Sequence, residues 1–231
     1  MVNLRENFLW IFFSNRCELC GIPIKRNRKI CANCEKNGEK LSKKDCHYCG
    51  GVKGECKCKN HRMKYNGVVS PYYYSDSIKR CIHRFKFNNK AFLGKILSQK
   101  MTEKVKKEYK DKTFDMVTYV PFSSEQMTKR KYNQSELLAE EISKNLSLPL
   151  VPTLEKDYNQ GIQHRKKMSR RNGNVFGTYS VKNSNVKDKT ILLVDDIKTS
   201  GSTLNECARE LKFSGAKAVY CVTAAVTPKI K

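Results

Sequence analysis

Acidic residues are scarce in this chain: its 231 residues hold 22 Asp+Glu against 46 Lys+Arg, a formal net charge of +24. Such a balance favours anionic partners, whether nucleic acid, phosphorylated ligands or acidic protein surfaces. Lysine is spread along most of the chain, so charge alone does not single out nucleic acid. Long apolar runs are also missing, and no stretch approaches the roughly 20 residues a membrane-spanning helix needs. The short run FLWIFF, from Phe8 to Phe13, lacks a basic flank and a small-residue cleavage site, which argues against a secretory signal. It reads as a packing anchor for the module that follows, and the protein is expected in the cytoplasm. No G-x-x-x-x-G-K-[ST] loop occurs, which excludes a Walker-type nucleotide site.

The first sixty residues are poor in aliphatic side chains and could hardly fold by hydrophobic burial alone. They are rich in cysteine instead. Of the 11 cysteines, eight fall in four close pairs: Cys17/Cys20, Cys31/Cys34, Cys46/Cys49 and Cys56/Cys58. The first four follow C-x2-C-x10-C-x2-C, a spacing that lets two tight turns close a tetrahedral thiolate site around zinc. The second four follow C-x2-C-x6-C-x-C, whose last pair is short by one residue. His47 or His61 could take one position there, although four cysteines are the preferred set. Gly21 and Gly50 each follow the second cysteine of a pair, as the turn of a zinc knuckle requires. Closed all-thiolate sites leave no open coordination position, so both zinc ions are expected to be structural. Cys81, Cys207 and Cys221 lie in apolar patterns and read as ordinary buried residues.

The stretch ILLVDDIKTSGSTL, from Ile191 to Leu204, carries the chemistry. Its four aliphatic residues predict a strand buried on both faces, as in a parallel sheet. Asp195 and Asp196 are placed at that strand's end. A loop of small and hydroxylated residues follows, Thr199, Ser200, Gly201, Ser202 and Thr203. Leu204, Cys207, Ala208 and Leu211 then recur with helical spacing. Thr203 and Glu206 have the form of a capping box, and Gly215 marks the helix end. AVYCVTAAV reads as the next strand. Backbone N–H groups at a helix start make a phosphate cradle, and the two carboxylates can accept hydrogen bonds from a vicinal diol. Phosphate beside diol describes a ribose 5-phosphate. Two acids at a strand end are commonly just solvated; acids, cradle and helix together favour a site.

A receiver domain needs its acid pair on the first strand, and only one helix and one strand fit after this one. The stretch instead resembles the PRPP-binding loop of type I phosphoribosyltransferases, through both acids, Thr199, Gly201 and Thr203. That resemblance implies that Asp195 and Asp196 hold the ribose hydroxyls, that the 199–203 loop holds the 5-phosphate, and that Mg2+ enters with the pyrophosphate.

Upstream, Lys59 to Gly67 is polar and basic and reads as a linker. VVSPYYYSDSIKRCIHRFKF then predicts a hairpin-like strand and a helix, with Ile78, Cys81, Ile82 and Phe85 inward and Lys79, Arg80, His83, Arg84 and Lys86 on a solvated basic face. KMTEKVKKEYKDK reads as a surface helix, and FDMVTYVP, 114–121, as a strand. Beyond it, Arg130, Lys131, Tyr132, Asn133 and Gln134 precede a helix through Leu137, Leu138, Glu141 and Ile142. This segment is similar to the R-G-F-N-Q of the ComF family, with Lys131 in place of the glycine. Gln163, Arg171, Asn174, Gly177 and Tyr179 continue the same resemblance, and five Lys/Arg lie between Arg165 and Arg171.

The resemblance covers nearly the whole chain. It implies an α/β fold: a type I phosphoribosyltransferase-like domain with a mainly parallel sheet over 63–231, preceded by an N-terminal anchor and double zinc ribbon over 1–62. Arg130, Asn133, Gln134, Gln163, Arg171 and Asn174 become candidates for the pyrophosphate side, and Asp195, Asp196 and Arg171 for any catalysis. The function it implies is competence: PRPP binding together with uptake of single-stranded DNA, beside a DNA-translocating helicase and with a peripheral location at the membrane. The alternative is an active phosphoribosyltransferase that moves ribose 5-phosphate from PRPP to an unknown acceptor and releases pyrophosphate.

Overall fold

A computed structural model describes residues 15–25, 27–28, 30–34, 46, 48, 63–87, 92–122, 132–156, 178–182 and 185–227. A parallel sheet forms the centre. It contains β3 (Gly67–Val69), β4 (Tyr72–Tyr73), β5 (Met116–Tyr119), β8 (Thr190–Lys198) and β9 (Ala218–Val226). The order is β3-β9-β8-β5, with β4 also on β9. Every pairing in it is parallel. Two further pairs are antiparallel, β1 (Asn15–Arg16) with β2 (Pro23–Ile24), and β6 (Leu154–Lys156) with β7 (Tyr179–Val181).

Helices cover both faces. Helices α1 (Asp76–Phe87), α2 (Phe92–Glu108) and α3 (Gln134–Leu146) pack on one face, and α4 (Ser202–Phe213) on the other. The central strand shows why. Leu192 and Val194 of β8 belong to the α1–α3 core, while Ile191 and Leu193 belong to the α4 core. All four are inaccessible to solvent, so the aliphatic run is buried on both faces. Cys81, Cys207 and Cys221 are buried as the pattern predicts.

The predicted hairpin is one strand instead. Gly67 pairs with Tyr220 and Tyr72 with Ala225, the same register offset on both sides of Ser70–Pro71. Pro71 has no N–H to donate, so it interrupts the ladder without turning the chain, which an edge strand tolerates. Ser70 Oγ meets Thr223 Oγ1 at 2.5 Å across the gap. Among the described residues no helix is long and apolar enough to cross a membrane.

The cysteine turns pack directly on the sheet domain. Cys17, Leu19, Cys20, Cys31 and Cys34 share a core with Ile78, Cys81 and Phe85 of α1. Arg84 reinforces the contact by donating from Nη1 to the carbonyls of Leu19, at 3.1 Å, and Glu18, at 3.5 Å.

Candidate functional site

The first cysteine group is assembled from two local turns. The Gly21 N–H donates to the Cys17 carbonyl at 2.8 Å, and Cys17 N–H to Ile22 O at 2.8 Å. Gly21 sits at φ +79°, and a Cβ there would lie 2.9 Å from the Arg84 guanidinium, so both conformation and packing require glycine. Cys31 N–H donates to Cys17 Sγ and Cys34 N–H to Cys31 Sγ, each at 3.3 Å. The four Sγ atoms lie within 4.8 Å of one another, and all four residues are buried. Cys20 and Cys31 sulfurs are 3.7 Å apart. A tetrahedron with Zn–S arms of ~2.3 Å has edges of about 3.8 Å, so the set fits zinc. Burial pushes the Cys17 thiol up, but the N–H groups of Cys20 and Cys31 outweigh it and bring the group down to about 7. N–H groups aimed at sulfur favour the thiolate a metal needs. Of the second group only Cys46 is described, and it is buried; Cys49, Cys56, Cys58, His47 and His61 lie outside the described residues.

The acid pair sits differently from the sequence expectation. Strand β8 runs on through Lys198, which pairs with Val226, so Asp195 and Asp196 lie within the strand and not at its end. On the other side β5 ends at Tyr119, opposite Val194. The acids are therefore the first residues of β8 beyond its shorter neighbour, and the sheet opens there, at the carboxyl edge of a parallel sheet. Both are nearly buried, at 8% and 9% exposure.

Each acid has its own support. Ser135 Oγ donates to Asp195 Oδ1 at 2.9 Å, and the Asp196 N–H donates to the same oxygen at 2.8 Å. Burial, followed by the neighbouring Asp196 charge, pushes the Asp195 carboxyl up to about 7. Asp196 is ion-paired with Lys86 Nζ. Lys86 therefore does not belong to a solvated helix face, as the sequence pattern suggested. It is the last charged residue of α1, turned in to the acids.

The loop after β8 ends in Gly201 at φ +84°, which is the N-cap of α4 with no side-chain cap. Left-handed glycine turns the chain straight into the helix, so Ser202 and Thr203 are already inside it and the expected capping box does not form. Glu206 instead bonds Arg209 at 2.7 Å. The helix end is as predicted: Gly215 at φ +97° follows it, with Ala216 N–H on Leu211 O and Gly215 N–H on Lys212 O, both at 3.0 Å. Around the loop, Thr199 and Ser200 are exposed, and Ser200 and Ser202 hydroxyls meet at 2.9 Å. A Cβ on Gly201 would lie 3.0 Å from Lys198 Cε, in a place the chain keeps open.

Asn133 and Gln134 have local duties. Asn133 caps α3, its Oδ1 accepting from Ser135 N at 3.0 Å and Glu136 N at 3.4 Å, while Nδ2 donates to Val120 O at 3.3 Å. Gln134 Nε2 donates to Lys86 O at 3.5 Å, and Tyr132 OH to the Phe85 carbonyl. Arg130, Gln163, Arg171, Asn174 and Gly177 lie outside the described residues. Strands β6 and β7 bracket the segment that carries the last four. Tyr179, on β7, is buried, and its phenol is pushed up by that burial and by Cys207 and Asp195, with Thr203 partly offsetting them. That places Tyr179 among the residues around the acids and loop.

A family model for the phosphoribosyl transferase domain matches residues 133–229, from the α3 cap through β9. Among curated proteins, the chain is 30% identical over 207 residues to competence protein ComFC of Bacillus subtilis, covering 84% of this chain and 82% of that one. The chain belongs to the ComF family. It is also 26% identical to competence protein F of Haemophilus influenzae, over 90% of this chain and 95% of that protein. With the DNA utilization protein YhgH of Escherichia coli it shares 24% identity, over 88% and 93%. This ComF-family chain thus joins a parallel-sheet domain of phosphoribosyltransferase type to a buried four-cysteine cluster suited to a metal.

Sequence reasoning missed two residues of the site, Lys86 and Ser135. Both reach the acids from elements more than fifty residues upstream, and neither carries a local signal. Lys86 sits in a run of basic residues, and Ser135 in the first turn of an amphipathic helix.

Proposed function

We propose that this ComF-family protein binds PRPP, with Asp195 and Asp196 on the ribose hydroxyls and the Thr199–Thr203 segment on the 5-phosphate. One observation carries the reading. Two shielded carboxylates stand just past the end of β5, and five residues after the second the chain turns at a left-handed glycine into the start of α4. Carboxylates accept from a diol, and N–H groups at a helix start donate to phosphate oxygens. Mg2+ enters with the pyrophosphate, since this ion keeps its water and binds mainly through phosphates. Arg130, Gln163, Arg171 and Asn174 are the candidates to meet that pyrophosphate.

The ligand site serves a protein that assists uptake of single-stranded DNA in natural transformation, alongside a helicase that moves the strand. Two relatives are named for competence and a third for DNA utilization. The net charge of +24 suits a polyanion. A cleft of ≈ 400 Å³ beside the first cysteine turns is lined by Cys20, Asp76, Lys79, Arg80, His83 and Arg84, and its three Lys/Arg against one acid give the phosphate backbone a net basic surface. Zinc holds that surface in place as a structural ion.

Calorimetric titration of the zinc-loaded protein with PRPP and Mg2+, beside an Asp195→Asn/Asp196→Asn variant, tests the ligand reading. Saturable binding that vanishes in the variant is expected. Equal heats in both proteins, or none in the wild type, would remove the ribose-phosphate site.

A further inference from the structure

Lys86 is held where it is by more than its ion pair. At the end of α1, the Phe85 carbonyl accepts from Tyr132 OH and the Lys86 carbonyl from Gln134 Nε2. Two residues back, Arg84 is anchored on the cysteine turn through the Leu19 carbonyl at 3.1 Å. The end of this helix is thus clamped from two sides. Both members of the Lys86–Asp196 pair are largely shielded, at 17% and 13% side-chain exposure. An ordinary surface ion pair contributes little to stability and needs no clamp. This one brings an ammonium to the centre of a candidate ligand site.

The direction of approach matters. The 199–203 loop leads into α4, which lies on one face of the sheet, whereas Lys86 comes from α1 on the opposite face. A ribose with its diol on Asp195 and Asp196 therefore has N–H groups and hydroxyls toward one end and an ammonium toward the other. Resting on the ribose-phosphate reading above, we propose that Lys86 binds the anionic group at the C1 end of the ligand. As the diol settles on the carboxylates, the ammonium passes from Asp196 to a pyrophosphate oxygen. The exchange trades one ion pair for another and makes or breaks no covalent bond. In consequence the site selects a ribose phosphorylated at both ends over ribose 5-phosphate, because only the former gives Lys86 a new partner.

The test is a comparison of two ligands on three proteins. Zinc-loaded full-length wild type, Lys86→Met and Lys86→Arg are titrated by calorimetry with PRPP and with ribose 5-phosphate, both with Mg2+. Lys86→Met is expected to weaken PRPP binding about tenfold or more, the scale of one lost charged hydrogen bond. Ribose 5-phosphate should change by less than about twofold, and Lys86→Arg should restore most of the PRPP affinity, since the guanidinium also binds phosphate. Equal weakening of both ligands, or no change in either, overturns the proposal while leaving the ribose-phosphate site standing. A wild type that binds neither ligand overturns both. Lys86→Gln is read in place of Lys86→Met should the methionine variant fail to fold.

Discussion

The cysteine turns and the acid pair face the same physical problem and solve it in opposite ways. Each gathers groups whose charged forms repel: four sulfurs within 4.8 Å in one, two adjacent carboxylates in the other. The cysteine cluster itself is made of sulfurs alone. N–H groups from their own turns favour thiolate, and the remaining charge suits a metal ion. The acid pair instead draws on the chain, with the Ser135 hydroxyl on Asp195 and the Lys86 ammonium on Asp196. A ligand set neutralised from outside can be built locally, whereas one neutralised from within needs the whole tertiary fold.

If that contrast holds, removing metal should have the largest effect of any single change. A strong chelator is expected to release zinc and unfold residues 15–34, taking with them the carbonyls that anchor Arg84. An ion held at a thousand times its dissociation constant contributes ~4 kcal/mol. For a chain of this size that corresponds to a fall of about 10 °C in Tm. Melting curves and amide hydrogen exchange, with and without chelator, check it. Unchanged protection at Cys17, Cys31 and Cys34 would show that the turns need no metal.

The acid pair should answer to pH. Folding raises Asp195 from 3.8 to about 7. Between those values the folded state keeps a proton that the unfolded chain releases, so this group's contribution to stability is full below about pH 4. It is lost as pH rises towards 7 and is constant above, a total on the order of 4 kcal/mol. Burial causes most of this rise and the Asp196 charge adds to it, while the Asp196 N–H, the Ser135 hydroxyl and the Lys86 ammonium oppose it. Asp195→Asn mimics the protonated form. Urea unfolding at pH 5, 6, 7 and 8 should show wild type losing ground steadily to the variant up to pH 7. A constant difference would mean that Asp195 titrates as an ordinary carboxyl.

What could be read from the sequence divides along the same line. Cys17, Cys20, Cys31 and Cys34 were legible because their ligand geometry is set by spacing within two short turns. The β8 strand was legible because burial on both faces leaves an unbroken aliphatic run, and the Gly215 helix end because its motif is local. The partners of the acids were not. Lys86 lies about 110 residues before Asp196, inside a basic cluster whose members differ only in which way the folded helix turns them. The capping box failed because the helix is capped at Gly201, two residues before Thr203, and the hairpin-like reading failed because a proline can interrupt an edge strand without turning it. Helical periodicity and turn signals describe neighbours along the chain; the support of the acids depends on which layers the sheet brings together.

Asn133 gives the finest test of that division, because sequence placed it on the pyrophosphate side and the structure occupies its side chain with a helix cap. Its Oδ1 satisfies the N–H groups of Ser135 and Glu136, and that cap fixes the first turn of α3, where Ser135 meets Asp195. Asn133→Ala should therefore cost ~1 kcal/mol, a shift of roughly 2–4 °C in Tm. Asn133→Ser, which also caps, should recover most of it. If the cap is the whole of its role, the serine variant also binds PRPP as the wild type does. A serine variant of restored stability but weakened PRPP binding would instead make Asn133 a direct ligand contact. The acid pair would then draw on a single residue for both its scaffold and its chemistry.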